Sequence, residues 1–146
     1  MIDLFIPGIA KPAGSKRGFL NRHTGRVAVV DACAKSKDWK TDVKAGAMAA
    51  YDGELLTGPL RLDVRFVMQR PKSHRRSNGE LKPNAPLYHT SKPDATKLLR
   101  AVEDALTGVV WCDDAQIAIQ HVTKVYGDRP GASLSVSLVL NSPAKS

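Results

Sequence analysis

The sequence predicts an α+β fold, in which two helices pack on one face of a small mixed or antiparallel sheet. Residues 60–69 alternate apolar and polar side chains, which is the period of a strand with one buried face. Residues 36–51 and 94–106 instead repeat their apolar residues at the spacing of a helix. Because the predicted elements follow the order β-ββ-α-β-α-ββ, we expect helices gathered on one face of a sheet rather than repeated βαβ units.

The predicted strands are separated by segments with the composition of turns. Residues 21–25 and 127–131 contain the asparagine, glycine and proline residues that are typical of hairpin loops. We therefore expect a first strand at 2–7, a hairpin of 18–20 with 26–30, a strand at 60–69, and a terminal hairpin of 116–126 with 132–140.

The predicted helices have recognisable ends. Ser36 or Asp38 would cap the first helix, and Asp94 is a favourable N-cap for the second, which would stop at Thr107 and Gly108. The first helix would face the core with Trp39, Val43, Ala47 and Ala50. The second has an apolar stripe formed by Ala95, Leu98, Leu99, Val102, Ala105 and Leu106. Its opposite, solvated face would carry Thr96, Lys97, Arg100, Glu103 and Asp104.

The length and composition indicate one folded domain. The 146 residues fit a single domain spanning 1–146, with 141–146 as a frayed tail. Apolar residues make up 42% and charged residues 25%, which excludes the low-hydrophobicity class of disordered chains. No stretch is apolar enough to cross a membrane, and no export signal is recognised. Cys33 and Cys112 lack metal-binding spacing, so we expect a reduced, cytoplasmic protein.

The formal net charge of +8 indicates a polyanionic partner, such as nucleic acid or an acidic membrane surface. Solubility alone is the competing interpretation. Residues 69–93 hold six basic residues against the single acid Glu80, and we expect a long, mobile, basic loop there. The predicted DNA contacts are Arg70, Lys72, Arg75, Arg76, Lys92 and, on the second helix, Lys97.

Acidic residues flank the second predicted helix. Asp94 begins it, whereas Asp113 and Asp114 follow it. Because a helix of about 13 residues is ~20 Å long, these carboxylates meet only if residues 108–112 turn back along the helix. Asp94 and Asp114 would then offer hard oxygen ligands to Mg²⁺, with Arg100 stabilising charge on a phosphate. Alternatively, Asp94 is only a cap, the two later aspartates form a turn, and Arg100 is a solvated charge.

Four further residues belong to types that often carry chemistry. We expect Trp111 and Cys112 to be packed in the core rather than to contact a ligand. We expect His74 and His89, which are isolated in the basic loop, to act neither as bases nor as ligands.

Residues 92–117 read KPDATKLLRAVEDALTGVVWCDDAQI. This string resembles the RusA family of Holliday-junction resolvases, whose helix reads KPDxDNLxKAxxDAL and is followed by WxDDAQ. The resemblance implies a small dimeric α+β fold and Mg²⁺-dependent cleavage of four-way DNA junctions. It also implies that Asp94 and Asp114 are the first and last catalytic aspartates, that Asp113 is an adjacent ligand, and that Arg100 stands at the essential lysine.

The chain departs from the family pattern inside this helix. Thr96 occupies the position of the second catalytic aspartate, and Lys97 replaces the common asparagine. Loss of a carboxylate should weaken the binding of a hard divalent cation. Three outcomes are open: Thr96 is a neutral or water-mediated ligand, Asp113 replaces the missing carboxylate, or the protein binds junctions and cuts them poorly or not at all.

The resemblance leads us to expect a Mg²⁺-dependent endonuclease that resolves Holliday junctions and other branched DNA, with Mn²⁺ as an alternative metal. We expect a homodimer, because a symmetric junction needs two nicks related by a two-fold axis. We expect a cytoplasmic enzyme of the kind often encoded by phages and prophages. The rival interpretation is a non-catalytic branched-DNA-binding protein with a site degraded at Thr96, and a third is an RNA-associated structural protein.

Overall fold

The computed structural model describes residues 1–13, 16–20, 27–31 and 36–140. In chain order its elements are β1 (Ile2–Pro7), β2 (Lys16–Leu20), β3 (Val27–Asp31), α1 (Ser36–Ala50), β4 (Leu60–Gln69), α2 (Ala95–Leu106), β5 (Ile117–Gly127) and β6 (Gly131–Leu138). Single-turn 3₁₀ helices lie at Lys72–His74 and Asp114–Gln116. The predicted order of elements is confirmed. The hairpin loop at 21–25, the tail at 141–146 and Cys33 lie outside the described residues.

The main sheet has four strands in the order β1-β6-β4-β5. Strand β6 is antiparallel to both β1 and β4, whereas β4 and β5 are parallel. Strands β2 and β3 form a separate antiparallel pair, as the hairpin prediction required. The fold is therefore the predicted α+β arrangement with a mixed sheet and two helices.

The predicted terminal hairpin is wrong, because β5 and β6 lie on opposite sides of β4. Val64 at the middle of β4 is opposite Val122 of β5 on one side and Leu134 of β6 on the other. Strand β4 is buried at every second residue, and pairing along both edges supplies the neighbours that this burial needs. The short link after β5 passes the end of β4, and α2 provides the crossover between the parallel strands. One βαβ unit is thus present where we expected none.

The core lies between the inner face of the sheet and the two helices. Leu60, Leu62, Val64, Phe66 and Met68 of β4 are all buried, which confirms the predicted alternation. Helix α1 contributes Trp39, Val43 and Ala47 as predicted. Ala50 is exposed instead, because α1 ends there, and Asp38 lies within the first turn rather than at the cap.

Gly46 of α1 permits close approach of the helix to β1. A Cβ atom at this position would collide with Cδ1 of Ile6, which is itself buried in the core. The absence of a side chain therefore leaves room for Ile6 against α1. Among the described residues, no helix is long and apolar enough to span a membrane.

Candidate active site

The start of α2 is built around Asp94. Its Oδ2 accepts a hydrogen bond from the Lys97 backbone N–H at 3.3 Å, so it is the N-cap that the sequence predicts. Its Oδ1 lies 3.9 Å from the ammonium group of Lys97. Asp94 and Lys97 line a cavity of about 410 Å³ together with Lys92. In this structure the Asp94 carboxylate is therefore engaged by the first turn of its own helix.

The end of α2 reverses the direction of the chain. Thr107 caps the helix, and Gly108 takes a φ of +85°, a left-handed conformation that glycine adopts without strain. The Gly108 N–H donates to the carbonyl oxygen of Trp111 at 2.7 Å. The buried Trp111 indole N–H donates to Oγ1 of Thr107 at 3.0 Å, which confirms its predicted place in the core.

Cys112 is exposed, contrary to our expectation that it packs in the core. Its neighbour Trp111 forms a strand-like bridge with Leu56, and successive side chains of an extended segment point in opposite directions. Because Trp111 points into the core, Cys112 points to solvent.

Gln116 fixes the turn that carries the two aspartates. Its Oε1 accepts hydrogen bonds from the backbone N–H groups of Cys112 and Asp113, both at 3.0 Å. Its Nε2 donates to the carbonyl oxygens of Leu56 and Gly58 at 2.9 and 3.1 Å. The glutamine of the DDAQ string thus anchors the turn to the segment that leads into β4.

Asp113 and Asp114 are adjacent but differ in their roles in the turn. Asp113 caps the 3₁₀ helix, because its Oδ1 accepts a hydrogen bond from the Ala115 N–H at 2.9 Å. The Asp114 carboxyl lies beside that of Asp113. A hydrogen bond between the two raises the pKa of Asp114, and desolvation and the charges of Asp113 and Asp104 raise it further. A carboxylate pair of this kind favours any nearby cation that relieves the repulsion.

The return of the chain brings Asp114 onto the polar face of α2. A cavity of about 260 Å³ is lined by Thr96, Leu99, Arg100, Glu103, Asp104, Asp114 and Gln120. Three residues that the sequence singled out, Thr96, Arg100 and Asp114, therefore share one cavity, which we call the α2 cavity. Asp94 does not line it. Among the described residues, no group of three or more His, Cys, Asp or Glu side chains is arranged to hold a metal ion.

Glu103 is buried, although the spacing placed it on the solvated face of the helix. Its exposed fraction is 9%, and among the described residues it is the one buried side chain that is polar or charged. The reason is tertiary: Gln120 of β5 packs against this side of α2 and donates a hydrogen bond to Glu103 Oε1. Burial raises the pKa of the Glu103 carboxyl, Asp114 and Asp104 add to the rise, and Gln120 and Arg100 oppose it.

This pKa shift predicts a stabilising substitution. A carboxyl whose pKa is higher in the folded state than in the unfolded state lowers stability as the pH rises above its ordinary value of 4.5. We therefore expect Glu103→Gln, which is neutral at every pH, to raise the melting temperature at pH 7. The gain should shrink as the pH is lowered toward 4. Melting curves of both proteins across this range test the expectation, and a lower melting temperature for the variant at pH 7 would contradict it.

The donor atoms of the α2 cavity fit a hard divalent cation. They include carboxylate and hydroxyl oxygens, which Mg²⁺ prefers. Mg²⁺ commonly binds proteins through one or two carboxylates and completes its octahedron with water and substrate phosphate. Asp114, Glu103 and Thr96 are the candidate ligands there. The residues fit an open site of this kind and not a closed cage of protein ligands.

Comparison with known proteins identifies the family. The family described as endodeoxyribonuclease RusA matches residues 10–137. The chain belongs to the RusA family. It is also 30% identical over 137 residues to uncharacterized protein YqaN of Bacillus subtilis (strain 168), and this similarity covers 92% of this chain and 94% of YqaN. RusA proteins are endodeoxyribonucleases that resolve Holliday junctions, so the resemblance found in residues 92–117 is confirmed at the level of the family.

The basic segment, residues 70–93, joins β4 to the helix that bears the RusA motif. Its second half pairs with the edge of β5: the His89 N–H donates to the Lys124 carbonyl oxygen at 3.1 Å, and the Tyr126 N–H donates to the Leu87 carbonyl oxygen at 2.8 Å. This part of the segment therefore has defined backbone partners. The mobility expected for the loop as a whole stays a prediction.

The predicted DNA-binding residues of this RusA protein fall into two groups. Arg70 donates to the Pro86 carbonyl oxygen at 2.9 Å and lies 5.4 Å from the centre of the Tyr126 ring. Arg75 forms an ion pair with Asp128. These two arginines hold the basic segment in place. The other four have exposed side chains, although Lys97 also lies near Asp94: Lys72, Arg76, Lys92 and Lys97.

The two loop histidines also support the basic segment. The rings of His74 and His89 contact the Tyr126 ring edge-on, with centroids 4.8 and 5.1 Å apart. Burial, followed by the nearby charge of Lys124, lowers the pKa of His89. Both contacts are structural.

The sequence did not single out Glu103 and Gln120 of the α2 cavity as functional candidates. Gln120 lies in β5, and the periodicity within α2 could not show that this strand covers Glu103. Their hydrogen bond depends on the parallel pairing of β4 with β5, which the expected hairpin excluded. The signal that could have drawn attention to Glu103 is the departure at Thr96, because a missing carboxylate raises the question of a substitute elsewhere.

Proposed function

We propose that this chain is a Mg²⁺-dependent endonuclease that cuts branched DNA, above all four-way junctions, in recombination and repair. The observation that carries the proposal is the return of residues 108–114 along α2, which puts Asp114 into one cavity with Thr96 and Arg100. Membership of the RusA family supplies the reaction class. The cavity supplies the acidic and basic groups that hydrolysis of a phosphodiester requires.

The roles of the residues follow from their charges. When bound, Mg²⁺ or Mn²⁺ would polarise the scissile phosphodiester and lower the pKa of an attacking water. Asp114 is our first metal ligand, and Arg100, also in the α2 cavity, would stabilise negative charge that develops on the phosphate. Asp94 and Asp113 stay predicted ligands. Each now serves as a helix cap, so each would have to turn its carboxylate toward the cavity.

The exposed lysines and arginines suit contacts with the DNA backbone. Lys97 lies in the first turn of α2, Lys92 lies just before it, and Lys72 and Arg76 lie in the basic segment. Cations at such positions bind phosphates without reading sequence. We propose that they hold the arms of a junction in a homodimer, with one active site on each subunit, in the cytoplasm.

The experiment that tests the proposal is incubation of the purified chain with a labelled four-way junction and Mg²⁺. We expect paired nicks near the branch point and no cutting of the matched linear duplex. A mobility shift of the junction without any nick would favour the rival interpretation, a branched-DNA-binding protein with a site degraded at Thr96.

Restoring the missing carboxylate should increase cutting. We expect Thr96→Asp to raise the cleavage rate at limiting Mg²⁺ by about tenfold, equivalent to ~1.4 kcal/mol, because each added carboxylate strengthens the binding of a hard cation. Thr96→Asn is the matched control, since it adds similar bulk without the charge. Equal rates for both variants would contradict the placement of Thr96 at the metal.

A further inference from the structure

Glu103 is a buried carboxylate that the fold satisfies only in part. It is nine-tenths buried, and transfer of a charged group out of water is costly unless it is well partnered. Its Oε1 accepts a hydrogen bond from Gln120, whereas its Oε2 has no hydrogen-bond partner among the residues that the structure describes and is not fully enclosed by protein. An apolar side chain at this position would avoid that cost. A bound cation at Glu103 would offset the free-energy cost of burying its charge.

Glu103 lies on the same face of α2 as Thr96, the position at which the RusA pattern has an aspartate. The two residues are seven positions apart, which is close to two helical turns, so they lie on the same face of the helix. Arg100 lies between them, and all three line the α2 cavity. Asp114 is close enough for its charge to act on the Glu103 carboxyl.

We infer that Glu103 is a divalent-metal ligand that, together with Asp114, supplies the carboxylate that Thr96 lacks. The inference deepens the proposed function and rests on it for the identity of the metal. Glu103 offers its free Oε2 to the metal, and its hydrogen bond to Gln120 orients the carboxylate. Relative to the RusA pattern, the second acidic ligand of this chain thus lies two turns later on the helix, at residue 103 instead of residue 96.

Titration of the full-length protein with Mn²⁺ alone, followed by electron paramagnetic resonance of the free ion, tests this inference without any DNA. We expect one bound Mn²⁺ per chain in the wild-type protein and at least tenfold weaker binding in Glu103→Gln, which preserves shape and can still accept from Gln120. Asp104→Asn is the matched control. Asp104 lines the same cavity but pairs with Lys40 at 3.2 Å, so its loss should weaken binding less than threefold.

A double variant tests whether the two positions are interchangeable. We expect Thr96→Asp combined with Glu103→Gln to recover Mn²⁺ affinity to within about threefold of the wild-type protein. The inference is overturned if Glu103→Gln binds Mn²⁺ as tightly as the wild-type protein does. It is equally overturned if Asp104→Asn causes the same loss, or if the wild-type protein binds no Mn²⁺.

A measurement on the unsubstituted protein guards against misfolding of the variants. Bound Mn²⁺ should broaden the carboxyl carbon resonance of Glu103 and leave that of Glu80, in the basic segment, sharp. Equal broadening of both resonances would overturn the inference.

Junction cleavage distinguishes the inference from the proposed function. If the protein binds Mn²⁺ through Glu103 but cuts no DNA, only the proposed nuclease activity is refuted. If the protein cuts junctions but Glu103→Gln binds Mn²⁺ normally, only the role of Glu103 as a metal ligand is refuted.

Discussion

Asp114→Asn should reduce Mg²⁺-dependent cleavage of a four-way junction by about 1000-fold, equivalent to ~4 kcal/mol of transition-state stabilisation. An amide keeps the size of the side chain but removes the negative charge that, in our proposal, binds the metal. Asp114 is exposed and makes no cap, so the turn should keep its shape. Single-turnover cleavage measures the loss, and a junction mobility assay should show that binding is retained.

Asp113→Asn provides the control, because it removes the neighbouring charge from the same turn. Asp113 caps the 3₁₀ helix, and asparagine is also a good cap, so we expect little change in stability. We expect a decrease in cleavage of less than tenfold. If Asp113→Asn were the more damaging substitution, the roles that we assign to the two aspartates would have to be exchanged.

Trp111→Ala should lower the free energy of unfolding by about 3–5 kcal/mol, the range found when a large buried aromatic side chain is truncated. Trp111 has no exposed surface, and its indole N–H donates to Thr107. The cavity left behind would lie directly beneath the segment that returns Asp114 to α2. Urea unfolding measures the loss, and cleavage at a temperature where the variant is still folded should also decrease.

Trp111→Phe separates packing from hydrogen bonding at this position. It retains most of the apolar volume but removes the N–H donor, so we expect a loss of about 1–2 kcal/mol. A loss below ~1 kcal/mol for Trp111→Ala would mean that Trp111 does not hold the return segment in the core.

The elements with a strong internal pattern could be predicted from the sequence. Strand β4 alternates over ten residues, and α2 combines a cap at Asp94, a continuous apolar stripe and a glycine stop at Gly108. These signals are local, and the structure confirms them. The pairing of β5 and β6 could not be predicted in the same way, because a short turn between two strands does not reveal that a third strand lies between them.

In the candidate site, too, local sequence signals could be predicted and tertiary contacts could not. Asp114, Thr96 and Arg100 could be singled out because a motif of about twenty-six residues keeps them in register. The burial of Glu103 could not, because it depends on Gln120 from a strand that pairs in parallel with β4. Periodicity within one helix identifies which residues share a face, but tertiary contacts decide whether that face is exposed.

Anomalous X-ray diffraction from crystals of the protein grown with Mn²⁺ would locate the metal. We expect a Mn²⁺ peak in the α2 cavity, coordinated by the carboxylate of Asp114. A peak coordinated by Asp94 and not by Asp114 would contradict the proposed site. So would Mn²⁺ peaks that lie only outside the α2 cavity.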